Sequence, residues 1–130
     1  MGITPHLWVE DMNRSIEFYT EAAGFDVQRV EPLDAPTFAS LKRGDLGLML
    51  STFDRPFDHW KMVEEVQRRR HQAGAVSFYI EAGDIEAEYA RAMAAGAYIV
   101  DALAERAWGQ REFTMRDPDG FWWAVWKALK

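Results

Sequence analysis

The chain has 130 residues, a formal net charge of −6 and no cysteine. That length suits a single domain with a real core. The charge disfavours general nucleic-acid or anionic-membrane binding and favours a cationic ligand, and the lack of cysteine excludes disulfides and thiolate metal sites. Apolar runs fall short of the ~20 residues that a membrane span needs. The N-terminus lacks a basic-then-apolar leader pattern, so a cytoplasmic location is expected.

Ile3 to Val9 alternates loosely and reads as a strand with Thr4, His6 and Trp8 on one face. Asp11 is a helix N-cap, because its carboxylate can accept from first-turn amides. Met12, Ile16, Tyr19 and Ala23 follow at helical spacing, and Gly24 ends the helix. Phe25 to Val30 is a strand and Pro32 to Pro36 a loop. Thr37 to Arg43 and Leu48 to Thr52 are strands around a Gly44 to Gly47 turn. Asp58 caps a helix to about Arg70, with Trp60, Val63 and Val66 on one side. Glu64 and Glu65 stand four residues before Arg68 and Arg69, a favourable pairing order. The Arg68 to Arg70 run reads as a solvated helix end or as an anion patch.

The first pattern then returns. Ala75 to Glu81 is a strand. Asp84 caps a helix with Ile85, Tyr89, Ala92 and Met93 on its stripe, and Gly96 ends it. Tyr98 to Val100 is a strand and Asp101 to Gln110 a loop. Arg111 to Arg116 and Phe121 to Trp126 form a hairpin around Asp117-Pro118-Asp119-Gly120, with turn residues where a reversal needs them. Trp122, Ala124 and Trp126 share one face of the last strand; Phe121, Trp123 and Val125 share the other. Both faces are apolar, so both require cover.

Asp11 and Asp84 lie 73 residues apart, as do Gly47 and Gly120, while Gly24 and Gly96 lie 72 apart. Each half reads strand, capped helix, glycine stop, strand, strand, turn, strand. The expectation is one α+β domain of two βαβββ modules (about 1–57 and 74–130), joined by a partly helical linker (about 58–73). Such modules, joined side by side, would place their sheets around a common cleft. An α+β sandwich with coincidental spacing is the alternative.

Three stretches carry a family resemblance: WVEDMNRSIEFYTEAAGF (Trp8 to Phe25), FYIEAGDIEAEYARAMAAGA (Phe78 to Ala97) and REFTMRDPDGFWWAVW (Arg111 to Trp126). They resemble the vicinal oxygen chelate superfamily, which includes glyoxalase I, extradiol dioxygenases and bleomycin-resistance proteins. The resemblance implies paired βαβββ modules forming a U-shaped mixed sheet around a cleft, usually in a homodimer. It also implies four metal-ligand positions. One lies seven residues before each helix cap, at Thr4 and Ser77. One lies four after the hairpin glycine, at Ala124, and the repeat offset puts the last at Ser51. Thr, Ser, Ser and Ala replace the imidazoles and carboxylates that Mn, Fe, Ni or Zn would need. No metal and no cofactor is therefore expected.

The cleft then reads as an aromatic ligand site. Its expected lining is Thr4, His6, Trp8, Met49, Ser51, Ser77, Tyr79, Trp122, Ala124 and Trp126, with Trp60 and Trp108 in loops that could close over it. Phe38 and Phe113 join this set with their faces undetermined. His59 and His71 read as surface residues, and Glu81 and Glu112 as solvated or paired acids or as bases. The WGQREFTMRDPDG stretch (Trp108 to Gly120) is most similar to the bleomycin-resistance branch. The resulting expectation is a homodimer that sequesters an aromatic or cationic small molecule. The alternatives are a glyoxalase- or dioxygenase-like enzyme (lyase, isomerase or oxygenase) with a displaced or absent metal site, and a purely structural dimerising domain.

Overall fold

The computed structural model describes residues 2–56, 60–73 and 76–129, with the side chains of 60–63 outside the description. The expected Asp58 cap and His59 lie outside the described residues. The chain divides into two compact units: Met1–Thr20 with Gly24–Gln72, and Glu21–Ala23 with Ala73–Lys130.

The first unit runs β1 (His6–Val9), α1 (Met12–Glu17), β2 (Asp26–Glu31), β3 (Phe38–Arg43), β4 (Leu46–Thr52) and α2 (Trp60–Arg68). The second runs β5 (Ser77–Glu81), α3 (Ile85–Ala94), β6 (Tyr98–Glu105), β7 (Gln110–Arg116) and β8 (Trp122–Ala128). Each unit holds a four-stranded mixed sheet, ordered β1-β4-β3-β2 in the first and β5-β8-β7-β6 in the second. The first strand of each sheet pairs parallel to its neighbour, and the remaining pairs are antiparallel. These are two similar βαβββ modules of an α+β fold.

Both predicted caps form. Asp11 accepts from the Arg14 amide at 3.2 Å and Asp84 from the Ala87 amide at 3.1 Å, each satisfying one exposed first-turn donor. Gly24 and Gly96 close their helices at φ +74° and +76°, where a side chain would be strained. After Glu17 the first helix widens into a π-turn over Phe18–Ala22, which the periodicity does not announce.

Two boundaries and one helix face stand out against expectation. The first hairpin turn is only Gly44-Asp45, because Arg43 already pairs with Leu46; Gly47 therefore lies inside β4. Strand β6 continues to Glu105, through residues expected to form a loop, with register shifts after Ile99 and Asp101. Met93, expected on the buried stripe of α3, is 53% exposed. The buried face of α3 is narrower, with Ile85 and Ala92 on it and Tyr89 half-buried.

Helix α2 is fastened to the first unit by polar contacts. Gln67 donates to the Phe53 carbonyl at 2.6 Å, and Arg70 spans both Glu10 oxygens at 2.7 Å while its guanidinium lies over the Phe53 ring. The Arg70 hydrogen bonds hold the Glu10 carboxyl below its ordinary range. The Arg68 and Arg69 guanidinia pair with Glu64 and Glu65, as their spacing predicts. Arg70→Ala should lower Tm modestly at low salt. Because the Glu10 pair is exposed, the deficit should shrink in high salt; thermal melts at two ionic strengths check this.

Candidate functional site

Alternation gives each sheet one helix-side face and one opposite face. In the first unit Leu7, Val9, Ala39, Leu41, Leu48 and Leu50 are buried on one side, and α1 packs against β3 and β4. The other side carries His6, Trp8, Phe38, Met49 and Ser51. The register ties them together: His6 lies beside Met49, Trp8 beside Ser51, and Ser51 beside Phe38.

These side chains form one connected cluster. The His6 and Trp8 rings stack with centroids 4.0 Å apart, and Phe38 meets His6 edge-on at 6.3 Å. The Arg55 guanidinium lies 4.6 Å from the Phe38 centroid and donates to Ser51 Oγ at 2.9 Å. His6 Nε2 lies 2.7 Å from the same oxygen. Ser51 is fully buried. Arginine can only donate, and no other partner of Ser51 is found among the described residues. Its hydroxyl hydrogen is thus satisfied only if it points at His6 Nε2, which makes that nitrogen an acceptor and leaves the proton on Nδ1. Burial, and then the charge of Arg55, lowers the His6 pKa below its usual 6.5, so the ring is neutral at pH 7.

Two expectations follow for this cluster. A His6 pKa lowered by folding means that the unfolded chain binds the proton more readily. The stability tied to neutral His6 should therefore be complete above pH ~6.5 and decline as pH falls from there through the lowered folded value. Denaturant titrations of wild type and His6→Asn across this range test that. Ser51→Ala strips a buried partner from both Arg55 and His6 and should cost about 1–3 kcal/mol, read as a lower denaturation midpoint.

In the second unit the helix-side face holds Ile80, Phe113, Met115, Trp123 and Val125, all buried, with Phe78 stacked on Trp123 at 4.6 Å. Phe113 is fully buried, and its ring lies 4.9 Å from that of Tyr89 on α3. It faces away from the other expected ligand-lining residues of its sheet and belongs to the core. The opposite face carries Ser77, Tyr79, Thr114, Trp122, Ala124, Trp126 and Glu112. Ser77 lies beside Trp122, Tyr79 beside Ala124, and Glu112 beside Trp126. Tyr79 is 57% exposed and Trp122 47%, whereas Ala124 is buried between its neighbours. Trp108, in the turn before β7, is exposed and donates from Nε1 to Glu112 Oε1 at 2.8 Å. Trp60 opens α2, but its side chain lies outside the described residues.

Thr4 lies one pleat beyond His6, exposed, with its side chain against Gly47. The register explains the difference. Matching Ser51 to Ala124 matches His6, not Thr4, to Ser77. The link from β1 to its cap is shorter than that from β5 to its cap, so counting back from each cap lands on different pleats. Neither matching assembles imidazole and carboxylate donors. Among the described residues no group of three or more His, Cys, Asp and Glu could hold a metal ion, so the described residues do not fit the divalent metal that the fold implies. Arg55 carries no sequence signal of its place here. It lies in irregular chain after β4, and only the folded turn brings it back to Ser51.

A family model described as Glyoxalase/Bleomycin resistance protein/Dioxygenase superfamily matches residues 3–125. An uncharacterised protein of Mycobacterium bovis is 28% identical, over 99% of this chain and 84% of its own length. Among solved structures, TioX from Micromonospora sp. ML1 is similar with a TM-score of 0.75 at 22% identity, covering 99% of both chains. A bleomycin-binding protein from Streptomyces verticillus, complexed with copper(II)-bleomycin, has a TM-score of 0.60 at 23% identity, over 96% of this chain and 93% of that one. These structural likenesses show a shared fold. No helix among the described residues is long and apolar enough to cross a membrane.

Proposed function

Because this chain belongs to the glyoxalase/bleomycin resistance protein/dioxygenase superfamily and carries aromatic sheet faces without a metal-donor set among its described residues, we propose that it is a metal-free binding protein. It sequesters a small aromatic or cationic molecule, acts as a homodimer, and serves a resistance role of the bleomycin type. The observation that carries this reading is the placement of large aromatics on the sheet faces away from the helices. Trp8 is stacked on His6 beside Phe38, while Tyr79 and Trp122 stand half-exposed in the second unit. Solvent-facing aromatics on rigid strands offer stacking surface to planar groups. The Streptomyces verticillus protein, solved with copper(II)-bleomycin, is a precedent on the same fold.

An enzymatic reading draws on one observation, the hydrogen bond between Ser51 and neutral His6, which resembles a hydroxyl beside its base. Complete burial of Ser51 weighs against it, since a nucleophile must reach its substrate.

The test is a calorimetric titration with metal-free bleomycin and a panel of fused-ring heteroaromatics, together with metal analysis of protein purified without chelators. Saturable binding by protein lacking stoichiometric metal supports the proposal. A stoichiometric transition metal, or no binding by any compound in the panel, overturns it.

A further inference from the structure

We infer that Glu112 is the acceptor for a cationic group (ammonium, amidinium or guanidinium) carried by a flat aromatic ligand on the second unit's sheet. The inference rests on the binding-protein reading and specifies the ligand's charge and the residue that receives it. Two carboxylates are buried among the described residues, Asp117 at 2% and Glu112 at 4% exposure. Asp117 is accounted for by the turn, where Oδ1 accepts from the Asp119 and Phe121 amides at 2.9 and 2.8 Å. The Glu112 side chain accepts one hydrogen bond, from the Trp108 indole at 2.8 Å, and forms no ion pair with any described residue.

The neighbouring cations are engaged elsewhere. Arg106 reaches only the Glu112 backbone carbonyl, at 3.3 Å, and pairs instead with Asp101 at 3.1 Å and with the Ala102 carbonyl at 2.8 Å. Arg111 points to the helix side, where it meets Glu86 at 2.7 Å. A buried carboxylate without a counter-cation is costly, and buried charges are ordinarily paired. The missing partner has an evident place. Trp126 lies directly across the strand pair from Glu112, and the exposed Trp108 ring is held at its carboxylate. Indole faces attract cations and stack flat rings, so a cation next to a flat ring meets both preferences at once. The formal charge of −6 raises the local concentration of such a ligand.

The test compares 2-naphthamidine with its neutral counterpart 2-naphthamide, two probes that share a ring and differ in charge. Their binding is followed by tryptophan fluorescence and by the Trp108 indole N–H resonance. Wild type should bind the amidine about tenfold or more tightly than the amide. Glu112→Gln, which keeps an oxygen acceptor for Trp108, should bring the two probes to equal affinity. Equal affinity in wild type, or an amidine preference that survives in Glu112→Gln, overturns the inference while leaving the binding-protein reading intact. Binding of neither probe to wild type overturns the inference, and the binding-protein reading falls with it only if the calorimetric panel also shows no binding. The wild-type comparison decides the matter even if the variant does not fold.

Discussion

Phe113→Ala is expected to cost about 3–5 kcal/mol of stability and to lower Tm by about 10 °C or more. Phe113 is fully buried, lies beside Val125 in the sheet and packs its ring on Tyr89 of α3. Truncation would remove apolar contacts and leave a cavity that close-packed neighbours fill only in part. Trp122→Ala provides the contrast. That side chain is half-exposed on the opposite face, so its loss should change stability by less than about 1 kcal/mol while weakening ligand binding. Thermal melts of the two variants check the assignment of faces. Near-wild-type stability in Phe113→Ala with lost ligand binding would place Phe113 in the site after all.

Asp117→Ala is the second large effect, expected at about 2–4 kcal/mol. Its carboxylate binds two backbone amides of the β7–β8 turn, while its own amide donates to the Phe121 carbonyl at 2.8 Å. Removing the side chain strands two part-buried donors at the reversal that sets the register of Trp122, Ala124 and Trp126. Asp117→Asn keeps an acceptor oxygen and should lose distinctly less. Denaturant midpoints rank the two. Gly120 is the other residue this turn holds fixed: its φ is +99°, and a Cβ added there would lie 3.4 Å from the Ala73 Cβ.

Residues whose structural role is local are legible in the sequence. Asp11 and Asp84 cap because an exposed carboxylate next to free amides acts within one turn. Gly24 and Gly96 stop helices because the backbone there turns left-handed. The alternation of Phe121 to Trp126 holds because a pleat has a fixed period. Register is the harder property, since it depends on turn length and pairing between distant strands. Gly47 reads as a turn glycine, yet a two-residue turn leaves it in the strand. Counting from the cap reaches Thr4, whereas the sheet puts His6 against Ser51. Strand β6 continues past Val100, where Asp101 and Ala104, residues of low strand preference, nevertheless pair with β7. Glu112 looks like any other acid, because burial is a property of the fold and leaves no mark on a lone Glu.

The most direct measurement is a nitrogen-15 indole spectrum of the protein, titrated with metal-free bleomycin and with the heteroaromatic panel. Trp8, Trp122 and Trp126 should shift saturably, while Trp123, one residue from Trp122 but turned into the core against Phe78, stays fixed. Movement of Trp123 ahead of the others, or an unchanged spectrum with every compound, would contradict ligand binding on the sheet faces away from the helices.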